Sequence, residues 1–192
     1  MFQDLDATLA ALVESELGIP GVAVSFVGPD SDFPPASVAL PAISFFLYDI
    51  REDLGLRSGV WEVDDGVRQP PAARVNCSYL ITAWPTETAP NPAEDEHRML
   101  GELLKVLLRH RTIPAQYLRG ELIGQKPPMP TRITADNQLN SLGEFWQAMG
   151  GRPKASLHYA ITLSFDVADP VPAGPQVTTR TLNLSPDSTP AG

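Results

Sequence analysis

Apolar residues recur at helical spacing in two long segments of the chain. The first spans residues 3–17, and Gly18 and Pro20 follow it as stop signals. The second runs from Ala93 to His110 and has acidic residues crowded into its first turn, as the helix dipole favours. Its apolar stripe comprises Met99, Leu100, Leu103, Leu104, Leu107 and Leu108. A shorter helix is predicted for Leu139–Met149, so the chain should contain three helices.

Other segments are rich in β-branched and aromatic residues or alternate between apolar and polar positions, which predicts strands. Ile43–Ile50 is apolar on both faces, so this strand should be central in its sheet. The last firm strand alternates strictly, which predicts a sheet with one face in water. The four strands predicted most clearly are Val22–Val27, Ile43–Ile50, Arg74–Trp84 and Ser156–Val167.

Weaker signals lie between these elements. Asp64, Asp65 and Gly66 predict a hairpin turn within the polar residues 51–72. A short strand is expected at either Leu118–Ile123 or Arg132–Ala135. Together the elements predict an α+β (mixed α/β) fold, with a single sheet of about four to six strands and helices mainly on one face. Residues 1–167 should form the domain, and residues 168–192 a Pro-rich linker followed by a C-terminal arm or tail.

The charge of the chain narrows the classes of partner. Its 192 residues carry a formal net charge of −9, which argues against binding to nucleic acid. The basic run Arg109–Arg111 ends a predicted helix, where cations stabilise the helix C-terminus. A single cysteine, Cys77, rules out an intrachain disulfide. Neither a signal peptide nor an apolar run of about 18 residues is found, so we expect no membrane association and synthesis in the cytoplasm.

The sequence lacks the common motifs for catalysis, cofactor binding and metal binding. The chain has no G-x-S-x-G elbow, P-loop, dinucleotide fingerprint or H-E-x-x-H motif. Consecutive residues 95–98 of a helix point in different directions, so Asp95, Glu96, His97 and Arg98 cannot converge on one substrate. The charged residues 49–53 suit a solvated loop or interface rim better than a metal site. We therefore predict no catalytic residue, cofactor or metal ligand.

Candidate interface residues come from two regions. Trp61, Trp84 and Trp146 could each be core residues or binding anchors, and the polar neighbourhood of Trp61 makes it the strongest interface candidate. The β-prone run 177–184 could be an arm that adds to the sheet of a neighbour, or an ordinary last strand of the domain. The candidates in this run are Val177, Thr179, Leu182 and Leu184.

Several segments, taken in order, resemble a known family. They are the strand FFLYDIRED, the strand RVNCSYLITAW, the helix DEHRMLGELLKVLLRH, and an RP pair followed by a Y-x-I-T strand. Over residues 2–167 the chain resembles the N-terminal domain of cap, or tail-terminator, proteins of extracellular contractile injection systems, such as the Photorhabdus virulence cassette and antifeeding prophage particles. Residues 28–42, 51–72 and 168–192 do not contribute to the resemblance.

The resemblance implies a structural role without catalysis. Related terminators form a six-fold ring on the tail end distal to the baseplate, stop polymerisation of the inner tube and attach the last ring of the contractile sheath. The partners implied are copies of the chain itself, the tube protein and the sheath protein, within a particle assembled in the cytoplasm. Two alternatives are a domain that binds a small ligand or lipid in an apolar cavity, and a hydrolase that uses a serine or Cys77 beside a histidine.

Overall fold

The computed structural model describes residues 1–64, 66–133, 142–150 and 152–174. Within them the chain forms three helices, eight strands and three short 3₁₀ turns. The helices are α1 (Phe2–Glu16), α2 (Pro92–Arg109) and α3 (Leu142–Ala148). The strands are β1 (Ala23–Ser25), β2 (Ala42–Glu52), β3 (Glu62–Asp64), β4 (Val67–Gln69), β5 (Ala73–Trp84), β6 (Thr131–Ile133), β7 (Ser156–Phe165) and β8 (Val171–Pro172).

Five of the strands form the main sheet, in the order β1-β2-β5-β7-β6. β1 runs parallel to β2, and every other neighbouring pair is antiparallel, so the sheet is mixed. The interior position predicted for β2 is confirmed, and so is the predicted α+β fold, whose main sheet has five strands. A second sheet of three strands was not predicted. The shortest strands of the main sheet, β1 and β6, lie at its two edges, where long unpaired strands would invite association with other chains.

Helices α1 and α2 cover one face of the main sheet and form the core with it. Leu5, Leu9 and Leu12 of α1 are fully buried, as their spacing predicted. The buried stripe of α2 is narrower than predicted, since Leu104 is only half-buried and Leu108 is 57% exposed. The buried residues of α2 are Met99, Leu100, Leu103, Val106 and Leu107. One flank of the predicted stripe therefore faces outward.

Part of the opposite face is covered by α3. The rings of Phe46 and Phe145 lie 6.1 Å apart between centroids, and Trp146 is buried. The water-facing side predicted for β7 is wrong, because Thr162 and Ser164 are almost fully buried. Polar residues there bond across strands: Thr162 Oγ1 donates to Asn76 Oδ1 at 2.6 Å, and Arg74 donates to the Ser164 hydroxyl.

The connection between α2 and β6 is tied to α1. The strand considered at Leu118–Ile123 is wrong, because 3₁₀ turns form at Ala115–Tyr117 and Gly120–Leu122. The alternative at Arg132–Ala135 overlaps β6 at residues 132–133, and residues 134–135 lie outside the described residues. Gly120 has a positive φ of 55°, and a Cβ there would lie 2.2 Å from Asp4 Oδ1, so the close approach requires glycine.

Candidate assembly surface

Between β2 and β5 the chain leaves the main sheet and returns to it. The excursion is closed at its base, where the Asp53 amide donates to the Arg74 carbonyl at 2.7 Å. The Asp53 carboxylate accepts hydrogen bonds from Asn76 Nδ2 at 2.9 Å and from the Gly55 amide at 3.1 Å. These bonds occupy the Asp53 carboxylate and fix the point from which the excursion projects.

The excursion supplies β3 and β4, and β8, which follows β7 in the chain, joins them in a second sheet that we call the small sheet. β4 pairs with β3 on one side and with β8 on the other. The hairpin predicted around residues 64–66 is therefore confirmed, although Asp65 itself is outside the described residues. Register places Val63, Arg68 and Val171 side by side on one face of the small sheet.

Large apolar side chains are concentrated in and around the small sheet. Val63 is 63% exposed and Val60 is 74% exposed. A concentration of exposed apolar side chains is typical of a site of interaction with another macromolecule. The exposed apolar residues of this region are Leu54, Leu56, Val60, Trp61, Val63, Val67, Val167 and Val171.

The three tryptophans have different environments. Trp61 is 42% exposed, and the Arg68 guanidinium lies over its ring, 5.1 Å from the centroid. Trp84 packs against Phe33, whereas Trp146 is only 2% exposed. The greater exposure expected for Trp61 is confirmed. Its role as an interface residue stays a prediction. The other interface candidates, Val177, Thr179, Leu182 and Leu184, lie outside the described residues.

A second surface feature was missed by sequence reasoning. An open groove of about 220 Å³ lies between the C-terminal end of α2 and edge strand β6, and we call it the α2–β6 groove. Leu108 had been assigned to the core stripe, and Arg111 had been explained by the helix dipole alone. The α2–β6 groove is lined by Leu107, Leu108, Arg111, Thr131, Arg132 and Ile133.

The side chains considered as candidate catalytic groups are buried or paired with other residues. Cys77 is fully buried, and burial, with a smaller effect of nearby Asp6, raises the pKa of its thiol to about 12. Arg98 bonds Asp95 at 2.6 Å, whereas Glu96 pairs with Lys154, so this run does not converge on one point. In the described ranges, no three His, Cys, Asp or Glu residues are grouped as a metal site would require.

Within the part of the chain that the structure describes, no helix has the length and apolar character needed to cross a membrane.

A second, smaller groove of about 90 Å³ lies between the β5–α2 connection and the start of α2. Both grooves are smaller than the clefts of about 300–1,000 Å³ that usually hold small ligands. The exposed small sheet and the α2–β6 groove are therefore the features best suited to function.

Comparison with solved structures finds the same architecture in two terminators. The first is the sheath/tube terminator, in the extended state, of the PVC extracellular contractile injection system. It is 27% identical to the chain, with a TM-score of 0.68 over 99% of the chain and 65% of the terminator. The second is the tube-terminating cap of the anti-feeding prophage, at 27% identity and a TM-score of 0.66, over 96% of the chain and 62% of the cap.

The chain thus spans slightly less than two thirds of the length of either terminator. No curated protein sequence matches it. The family model of the Pvc16 N-terminal domain matches residues 4–180, which include α2, all but the first two residues of α1 and all strands of the main sheet. The chain therefore belongs to the Pvc16 N-terminal domain family.

Proposed function

We propose that the chain is a structural cap of a contractile injection system. In this role, six copies form a ring on the end of the tail distal to the baseplate, end polymerisation of the inner tube and anchor the last ring of the sheath. The observation that carries the proposal is the similarity to two terminators over nearly the whole chain. Family membership supports the same role.

The cap acts through its surfaces and performs no chemistry on a bound molecule. Support comes from the apolar small sheet, which stands apart from the core in an acidic chain with a net charge of −9. Its partners are further copies of itself, the tube protein and the sheath protein, and neither nucleic acid nor a membrane is involved. The protein is made in the cytoplasm and remains in the assembled particle.

The division of labour along the chain is part of the proposal. Residues 1–167 form the cap domain, and residues 168–192 are a linker, which pairs with β4 through β8, and an arm that reaches a neighbouring subunit. Support comes from the core of the described residues, whose last member in sequence is Phe165. A domain that binds a small ligand is the second candidate, favoured only by the partly apolar α2–β6 groove.

The experiment is reconstitution of particles from the tube, sheath and baseplate proteins of a contractile injection system, with and without the chain. Electron microscopy measures the length of the tubes and the position of the last sheath ring. With the chain, we expect tubes of defined length with a six-fold density at one end. Uncapped tubes of unchanged length distribution, with no chain bound, would overturn the proposal.

A further inference from the structure

The α2–β6 groove combines an apolar floor with positive charge. Leu108 is 57% exposed on the outer side of α2, and Ile133 is half-buried on β6. Arg111 and Arg132 line the groove and are exposed to solvent. Among the described residues, neither arginine takes part in an ion pair within 4.0 Å. The groove therefore suits an occupant that is both apolar and acidic.

The small sheet has this chemistry. Trp61 and Val63 supply large exposed apolar groups, and Glu62 between them is exposed. The sequence of the hairpin, residues 60–69, contains three acidic residues against one arginine. Exposed apolar side chains flanked by negative charge complement a groove whose apolar floor is flanked by two arginines.

The two surfaces belong to different parts of the fold. The hairpin β3–β4 of the small sheet is inserted between β2 and β5, whereas the groove lies at the far edge of the main sheet, on β6. A contact between two different patches on identical copies is heterologous, and such contacts close into a ring when the rotation between copies is right. An isologous dimer would instead need one patch that complements itself.

We infer that the small sheet of one copy docks into the α2–β6 groove of the next copy. This inference rests on the proposed ring and names the contact that builds it. Trp61 and Val63 pack on Leu108 and Ile133 of the neighbour. Glu62 points to the other face of β3 and pairs with Arg132, which points to the other face of β6 from Ile133. Six repeats of the same contact close the ring.

The test uses the reconstituted particles and measures the concentration of each variant that caps half of the tubes. Trp61→Glu alters the small sheet, and Leu108→Glu alters the groove. Both side chains are exposed, so circular dichroism and the urea midpoint should match those of the unmodified protein. We expect both variants to lose capping, whereas Ile123→Glu, at a side chain that is 69% exposed elsewhere, retains it.

Charge exchange then identifies the occupant of the groove. Glu62→Arg and Arg132→Glu should each raise the half-capping concentration about tenfold, as loss of a close interfacial charge pair does. The chain carrying both changes should recover most of the lost capping, because every contact in the ring regains opposite charges. Recovery is expected only if the groove binds a second copy.

The other outcomes separate this inference from the proposed function. If the unmodified chain caps tubes and both single variants do so equally well, the inference is wrong and the cap role stands. If Leu108→Glu alone fails, or if the charge exchange gives no recovery, the groove binds the tube or sheath protein and the inference is again wrong. If the unmodified chain does not cap, the proposed function itself fails.

Discussion

The Lys154 ammonium lies over the Trp84 ring, 4.6 Å from its centroid, and the same ammonium pairs with Glu96 near the start of α2. Lys154 and Glu96 are only 15% and 13% exposed. One charge thereby joins the segment before β7, the end of β5 and the first turns of α2. A largely buried charge is stabilised mainly by its ion-pair partner. Removal of Lys154 should therefore lower the stability of the whole domain.

Lys154→Met should lower the free energy of unfolding by about 1–3 kcal/mol, since it leaves the Glu96 carboxylate largely buried without its cation. The matched control is Lys105→Met. Lys105 pairs with Glu102 on the surface of α2, where the side chains are 69% and 43% exposed. We expect that control to change stability by less than about 0.5 kcal/mol. Urea denaturation measures both, and equal effects would contradict the structural role of Lys154.

Leu103→Ala tests the position of the buried stripe on α2. Leu103 is fully buried, so the change should cost about 2–5 kcal/mol through lost burial and the cavity that remains. Leu108→Ala, five residues along the same helix, should have little effect on stability because Leu108 is 57% exposed. Urea midpoints of the two variants decide the point. A larger loss for Leu108→Ala would show that the helix is rotated from its described position.

Asp6 should make a distinct contribution to the pH dependence of stability. Partial burial raises the pKa of its carboxyl, and the hydrogen bond that Tyr79 donates at 3.0 Å offsets this only in part. A raised carboxyl pKa means that the native state loses stability as pH rises through the window between the unfolded and folded pKa values. Asp6→Asn keeps an acceptor for Tyr79 but cannot ionise. Its stability relative to the unmodified protein should therefore increase from about pH 3.5 to pH 7.

Glu16→Gln is the control of opposite sign. The hydrogen bond from Tyr117, at 2.7 Å, is the main reason why the pKa of Glu16 is lowered, and Arg109 and His110 act in the same direction. A lowered pKa contributes stability above the unfolded pKa, and this contribution is lost as pH falls. The unmodified protein should therefore be favoured over Glu16→Gln at pH 7 and lose that advantage in acid. Parallel pH profiles for the two variants would refute both assignments.

Removal of residues 175–192 tests the proposed arm. The truncated chain should stay folded, with an unchanged urea midpoint, because the core of the described residues ends at Phe165. Its half-capping concentration should rise if the arm reaches a neighbouring subunit. Removal of 168–192 also takes away β8, which pairs with β4, and should have a larger effect. Normal capping by the shorter truncation would exclude a role for the arm.

The long periodic segments could be predicted from sequence because, within one helix or strand, the spacing of apolar residues shows which side faces the core. Helix α1 and strands β2 and β5 agree with their patterns to within a few residues at each end. Burial of many apolar groups on one face leaves little freedom for any other structure. The resemblance to the cap family rested on the segments that form β2, β5, α2 and β7, and the family match confirms it.

Features that depend on contacts between distant segments could not be predicted. The polar side of β7 is buried because Asn76 and Arg74, far away in sequence, supply its hydrogen bonds. Leu108 faces outward because of how α2 is rotated about its axis against the sheet. The apolar stripe of six residues was too broad to predict that rotation. The α2–β6 groove exists only because a three-residue edge strand pairs with β7 beside that helix.

By itself, the sequence determined the class of fold, the order of its main elements and the family, because hydrophobic periodicity along one segment is a local property. Tertiary structure alone decided which apolar residues stay exposed and which arginines line a groove. Both depend on the packing of elements that are more than twenty residues apart in sequence. An exposed surface is what remains after the core has formed, so no single segment can specify it.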